Sequence, residues 1–279
     1  MTMPPDRDPV VVASHPRSGT HLLLDLLRRQ FPVCRSWKWP GERLDRLYCN
    51  IDELAGRDGI LDERTAHRIL SRTERPLVKT HAFPGFRTGF LDRHTGEIGA
   101  PWLEWLQERA TLLYVYRDGR DVLCSYQLFR QSFDPQARTT IGNFLRQTDN
   151  GPNRVRRWAE HVRSWMNQPE AEAIRFEDVL TDPAAVLRRL GEILGRDPEM
   201  QEPLLPEPFD SIWESRWARF AGVRPESTAI INGASKDWET SFTPDDRSFF
   251  HDQAGDLLLE LGYASSPEWT KVPSENPTQ

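Results

Sequence analysis

Apolar residues along this chain come in two rhythms. Val10-Val11-Val12-Ala13 is an unbroken, mostly β-branched run, the mark of a short strand buried on both faces. Thr20 to Gln30 carries leucines along a helical face, which predicts a helix. Ser14 to Gly19, between them, is turn-like. The pattern recurs. Leu77-Val78-Lys79-Thr80 follows Pro76 and predicts a second strand; Thr111 to Tyr116 predicts a third, aromatic and aliphatic, with a helix over Asp118 to Arg130. Arg154 to Asn167 predicts a helix with Trp158, His161 and Trp165 on one face. Ala173 to Phe176 predicts a strand. Asp182 and Pro183 supply the N-cap and first position of a helix reaching Leu194.

Short strands alternating with helices predict an α/β fold: three layers, with a central, mainly parallel sheet flanked by helices. One domain is expected over residues 1–264, with 265–279 as a polar tail expected to fray. Asp45 to Arg75 is charged and weakly helical and fits neither rhythm. Ligands of such sheets bind at the carboxyl ends of the strands. That singles out Ser14 to Thr20, Lys79 to His81, Arg117 to Ser125, and Phe176.

Composition narrows the class. The 279 residues carry a formal net charge of −6, which argues against a nucleic-acid binder. Of 36 basic residues only Lys38, Lys79, Lys236 and Lys271 are lysines, so 32 are arginines. Three cysteines without a C-x-x-C spacing argue against a disulfide framework and a cysteine zinc site, and fit a reducing, cytoplasmic setting. No apolar run approaches the roughly 18 residues of a membrane span, and the first residues lack the apolar core of a secretory signal.

Two segments carry chemistry. Ser14-His15-Pro16-Arg17-Ser18-Gly19-Thr20 links strand to helix, where backbone N–H groups can face an anion. Set against the phosphate loop G-x-x-x-x-G-K-[ST], Gly19 matches the second glycine, Thr20 replaces the lysine, and His21 replaces the metal-binding hydroxyl residue. The cation has moved to Arg17. The loop therefore suits a phosphate-like group without the usual Mg²⁺ ligand; the plainer alternative is an ordinary strand-to-helix turn. In the second segment Arg117 ends a strand and Ser125 follows eight residues on, about two helical turns into the next helix. That pair suits a separate phosphate; the alternative is a helix capped by Asp118 among solvated charges.

Taken together these segments resemble the sulfotransferases that use 3′-phosphoadenosine 5′-phosphosulfate (PAPS), enzymes of a P-loop-like fold. The first is similar to that family's T-Y-P-K-S-G-T-T-W loop, the second to its strand-end Arg with a Ser eight positions later. Val78-Lys79-Thr80-His81 resembles V-K-T-H. Arg175-Phe176-Glu177-Asp178-Val179 with Asp182-Pro183 resembles R-Y-E-D-L…D-P. Trp158, His161 and Trp165 match W-x-x-H-x-x-x-W, and Gly233 through Asp237-Trp238 to Phe242-Thr243 is similar to R-K-G-x-x-G-D-W-x-x-x-F-T. The blocks run in family order from about Val10 to Tyr263.

The resemblance implies sulfuryl transfer from PAPS to a hydroxyl or amine of a small-molecule acceptor, leaving the desulfonated product PAP, with no metal, nucleic acid or membrane partner. It implies His81 as general base, since an imidazole titrates near neutrality; a hydrogen-bonded strand-end histidine is the plainer alternative. Lys79 and Arg17 face the transferring sulfonate and the leaving phosphate. Arg17, Ser18, Gly19, Thr20, His21 and Leu22 bind the 5′ side of the donor. Arg117, Ser125, Phe176, Asn232 and Gly233 complete the donor site. The rivals are a catalytically weakened nucleotide-binding homologue and a small-molecule kinase on the same loop.

Four positions depart from the pattern. Arg17 stands for the usual Lys, Leu22 for an adenine-stacking Trp, Phe176 for Tyr, and Ile231-Asn232 for the Arg-Lys pair before Gly233. The last removes two cations, for which Arg216, Arg219 or Arg224 are candidate substitutes, and predicts weaker 3′-phosphate binding. Trp213, Trp217 and Phe220 form an aromatic stripe at helical spacing, either core or the wall of a pocket for a flat, apolar acceptor. The K-x-x-x-T-V-x-x-x-E dimer motif of part of the family is not kept, and the oligomeric state is left open.

Overall fold

The computed structural model describes residues 3–39, 42–54, 61–85, 99–148, 151–205 and 237–271. The stripe at Trp213, Trp217 and Phe220, the arginines 216, 219 and 224, and the segment Ile231 to Lys236 lie outside these residues. By internal contacts the chain divides into two compact units. The first comprises residues 1–116 and 164–233, the second residues 117–163 and 234–279.

The first unit holds the sheet. Its strands are β1 (Val10–Ser14), β2 (Cys49–Asn50), β3 (Leu77–Thr80), β4 (Thr111–Tyr116) and β5 (Ala171–Arg175). They lie in the order β2-β3-β1-β4-β5 and every pairing is parallel. β1 is central, and Val10 to Ala13 have no exposed surface, which is why their sequence shows no polar alternation. After β1 the chain fills the β3 side of the sheet, then crosses to β4 on the other. The strand order therefore reverses at the carboxyl end of β1, the place where such sheets bind ligands.

Helix α1 (Thr20–Gln30) covers one face. Leu22, Leu23, Leu24, Leu26 and Leu27 are each at most 1% exposed and share a core with Val10, Val12, Leu113, Val115, Phe176, Leu187 and Leu190. Burial of each such leucine is worth about 1.5–3 kcal/mol. The predicted bounds of β1, α1, β3 and β4 hold to within a residue. The segment Asp45 to Arg75 gives the two-residue edge strand β2, helix α2 (Ile51–Leu54) and helix α3 (Glu63–Leu70). β5 begins and ends earlier than predicted. Phe176 leaves the strand and opens helix α8 (Phe176–Thr181). Helix α9 (Pro183–Leu194) starts as expected, with the Asp182 carboxylate accepting from the Ala185 N–H, and Gly195 in the left-handed region ends it.

Helix α4 (Gly99–Arg109) precedes β4. The second unit is helical: α5 (Gly119–Gln131), α6 (Ile141–Arg146), most of α7 (Arg154–Met166), α10 (Asp237–Ser241) and α11 (Pro244–Glu260). Gly119 lets Trp158 lie against α5, since a Cβ there would stand 2.5 Å from the indole. Arg120 stacks on Trp238 and Trp269, 4.0 and 4.8 Å from the ring centroids. Trp269 belongs to a short turn at Pro267–Thr270, so part of the tail expected to fray is ordered.

Candidate active site

Loop Ser14 to Thr20 runs from the centre of the sheet into α1. Arg17 and Gly19 both take left-handed backbone angles, φ 72° and 103°. Gly19 is the N-cap of α1, and no side chain caps the helix. First-turn N–H groups with no capping side chain are the donors an anion uses at a helix N-terminus. The glycine is required twice over: by its φ, and because a Cβ would stand 2.2 Å from the Phe176 ring. Phe176 is 2% exposed and seals the loop from beneath. Leu22 is 1% exposed and belongs to the core.

The hydroxyls of Ser14 and Thr20 are hydrogen bonded across the loop. Ser18 and Thr20 are buried, His21 is partly buried with its ring 5.9 Å from that of Tyr48, and His15 is held at Nδ1 by the Pro16 carbonyl at 3.0 Å. Beneath His15 the Tyr114 hydroxyl hydrogen bonds the His15 backbone; burial pushes its ionisation far above the ordinary range for a phenol. Tyr114 also stacks on Trp165, 5.5 Å between ring centroids and 8° from parallel.

Pairing of β3 with β1 brings Lys79 and His81 to this loop. Lys79 is opposite Val12, 8% exposed. His81 is the first residue past β3, and its Nδ1 lies 2.7 Å from the Ser14 carbonyl oxygen. A carbonyl only accepts, so Nδ1 carries a proton, and in the neutral ring the lone pair is then on Nε2. That is the tautomer a general base needs. The residues before and after the imidazole are fixed as well. The Thr80 hydroxyl and the His81 N–H donate to the Asp52 carboxylate, each at 2.8 Å, and Trp165 Nε1 donates to the Ala82 carbonyl at 3.0 Å.

In the second unit Arg117 is 6% exposed, with a terminal nitrogen 4.0 Å from Asp121. Asp118 is the N-cap of α5. Its carboxylate accepts from the Arg120 backbone and grips the Arg120 guanidinium at 2.9 and 2.6 Å. Ser125 is partly buried in the second turn of α5. His161 and Trp158 are buried in α7. Asn232 and Gly233 lie outside the described residues. Among the described residues no group of three or more His, Cys, Asp or Glu is gathered to hold a metal ion.

Arg17, Gly19, Lys79, His81 and Phe176 belong to separate sequence motifs, and the fold brings them together around the carboxyl end of β1. Asp52 and Tyr114 lie outside every motif: strand pairing brings Asp52 to His81, and Tyr114 reads in the sequence as one more strand aromatic. No helix among the described residues is long and apolar enough to cross a membrane.

Sheet order and loop geometry define a P-loop-like α/β protein whose first helix begins at a glycine with no capping side chain. A model of the sulfotransferase domain matches residues 102–262, more than half of the chain, and the chain belongs to that family. A mouse sulfotransferase, SULT7A1, solved with PAP, is similar in fold: TM-score 0.55 at 16% identity, over 95% of this chain and 91% of that one. A retinol dehydratase solved with androsterone and inactive cofactor PAP gives 0.50 at 18% identity, over 91% and 82%. No curated protein matches the sequence.

Proposed function

We propose that this protein transfers a sulfuryl group from PAPS to a hydroxyl, or an amine, of a small-molecule acceptor. The observation that carries the proposal is the hydrogen bond from His81 Nδ1 to the Ser14 carbonyl, 2.7 Å long, which joins a defined histidine tautomer to the anion loop. His81 Nε2 takes the acceptor's proton as the acceptor oxygen bonds to sulfur. The bond from sulfur to the bridging phosphate oxygen breaks, and that oxygen keeps the electron pair as PAP leaves. Loop N–H groups and Arg17 stabilise the charge gained by the 5′-phosphate, and Lys79 that of the transferring sulfonate. Arg17, Ser18, Gly19, Thr20 and His21 hold the 5′ side of the donor. Arg117 and Ser125 hold its 3′-phosphate, with Asn232 and Gly233 contributing backbone.

Leu22 and Phe176, both buried, act on the donor by shaping the loop, and the adenine needs another wall. The androsterone in the retinol dehydratase supports a flat, apolar alcohol as acceptor class. We place the enzyme in the cytoplasm as one functional domain over residues 1–264. Cys34, Cys49 and Cys124 are buried thiols outside any disulfide, and burial pushes the Cys34 and Cys49 thiols up to about 12, which disfavours their reactive thiolates.

The test is mass spectrometry of a panel of small alcohols and amines, naphthol and androsterone included, after incubation with PAPS. An acceptor should gain one SO₃ unit with the wild type and lose that gain with His81→Ala. No transfer to any panel member, with dependence on Mg²⁺ and ATP instead, would replace this reading by the kinase one. Equal turnover in the variant would remove His81 as base.

A further inference from the structure

We infer that Asp52 is a positioning residue that aims the base, an inference that rests on His81 acting as that base. Asp52 sits in the first turn of α2, just past edge strand β2. β2 pairs with β3 so that Asn50 is opposite Lys79, and this register carries Asp52 to the end of β3. There its two oxygens divide the work. Oδ1 accepts from the Thr80 hydroxyl and Oδ2 from the His81 N–H, both at 2.8 Å. The Thr80 oxygen in turn accepts from the Ala82 N–H at 2.9 Å. Where a strand stops, its N–H groups lose their ladder partners, and a carboxylate is a strong replacement.

His81 is thus held at two points on different elements. Its ring is tied to β1 through the Ser14 carbonyl, and its backbone to α2 through Asp52. One point leaves the ring free to swing about its anchor; two fix the direction of the Nε2 lone pair. Proton abstraction is steep in that direction, and a misplacement of about 1 Å can cost on the order of 100-fold in rate. Asp52 touches no reacting atom in this scheme. It acts through His81.

The experiment compares Asp52→Ala, Thr80→Val, His81→Ala and the Asp52→Ala/His81→Ala double variant. The readouts are kcat and KM for the best acceptor in the panel, PAP affinity by calorimetry, and Tm. Asp52→Ala should lower kcat by roughly 10- to 100-fold with PAP affinity within about 2-fold of wild type. Thr80→Val keeps the volume and removes one of the two bonds, so its loss should be smaller and in the same direction. In the double variant Asp52→Ala should add no loss to that of His81→Ala. A merely structural Asp52 would weaken PAP binding along with kcat, and its loss would add to that of His81→Ala; either pattern overturns the inference. Wild-type kcat in Asp52→Ala, with His81→Ala inactive, overturns it and leaves the base standing. Wild-type kcat in His81→Ala removes the base reading itself, and Asp52 with it. Should Asp52→Ala not fold, Thr80→Val decides: unchanged kcat there overturns the inference.

Discussion

β1 and β4 each run through a short loop into a helix, and the two loops are built in opposite ways. After β1 the N-cap is Gly19, no side chain caps α1, and two residues adopt left-handed angles. After β4 the N-cap is Asp118, whose carboxylate already binds the Arg120 N–H and guanidinium. The first helix start offers backbone N–H groups to an anion; the second has an anion of its own in place. On the proposed reading, a phosphate served by α5 would be met by side chains, Arg117 before the cap and Ser125 in the second turn. The contrast has a chemical use. Backbone N–H groups suit a phosphate whose charge changes during reaction, because they neither titrate nor move. A guanidinium suits a phosphate that only has to be gripped.

Gly19→Ala breaks the contrast hardest. The substitution forces a Cβ into the Phe176 ring at 2.2 Å and into a φ of 103° that alanine resists. PAP affinity should fall by at least about 100-fold, measured by calorimetry. Phe176→Leu should not rescue it, because the backbone strain remains. A Gly19→Ala protein that binds PAP normally would mean that the loop is only a turn.

Arg117→Ala tests the other side. Wild type should prefer PAP over adenosine 5′-phosphate, which lacks the 3′-phosphate, and the variant should lose that preference by about 10- to 100-fold. Affinity for adenosine 5′-phosphate should stay as it was. If wild type binds both ligands equally, neither Arg117 nor Ser125 holds a 3′-phosphate. With Ile231-Asn232 where the family has an Arg-Lys pair, this preference should be smaller than a complete clamp would give.

These two loops also divide what the sequence could reveal. Val10 to Ala13, the leucines of α1 and the run Thr111 to Tyr116 are strong local patterns, and the elements they predict are present. β2 is two residues long, too short for any periodicity, and with it went the chance to see Asp52. The meeting of Phe176 with Gly19 joins residues far apart in the chain and exists only after the sheet is ordered. Helix α11 carries a local start signal in the sequence. Thr243 and Asp246 form a reciprocal capping box, with Pro244 at the first helical position. Its apolar rhythm is broken where Ala254 leaves helical geometry, which hid seventeen residues of helix. The family match begins at residue 102 and so omits the anion loop and His81 altogether. Departures at Arg17 and Leu22 fall in that omitted part, while Arg117 and Ser125 lie inside the match.

Asp118→Asn should leave PAP affinity unchanged and lower stability. The amide oxygen can still cap the Arg120 N–H, but the charged grip on the guanidinium is lost. Arg120 keeps its stacking on Trp238 and Trp269 and its bond to the Tyr263 carbonyl, 2.7 Å long. A loss of about 1–2 kcal/mol corresponds to a Tm lower by roughly 2–8 °C for a unit of moderate size. A change in PAP affinity without a change in Tm would place Asp118 in the donor site and undo the division between the two loops.

The smallest effect expected is a tilt in acid stability set by Asp246, at the start of α11. Burial raises its carboxyl, but hydrogen bonds from Thr243 and Arg146 outweigh burial and hold it below the usual carboxylate range. A carboxyl lowered in the folded state binds fewer protons there than when unfolded. Its contribution is therefore complete above the unfolded value, and it fades as pH falls through the folded one. Asp246→Asn removes that contribution at neutral pH while keeping a side chain of the same shape. Its Tm deficit against wild type should be largest at neutral pH and should narrow below about pH 4, the ordinary aspartate range. Gly142 faces the same carboxylate, where a Cβ would stand 2.2 Å from Oδ1. Gly142→Ala should therefore lower Tm at neutral pH through the same contact and leave PAP affinity alone. A deficit in Asp246→Asn that stays constant from pH 7 to pH 3 would mean that Asp246 acts through packing and not through its charge.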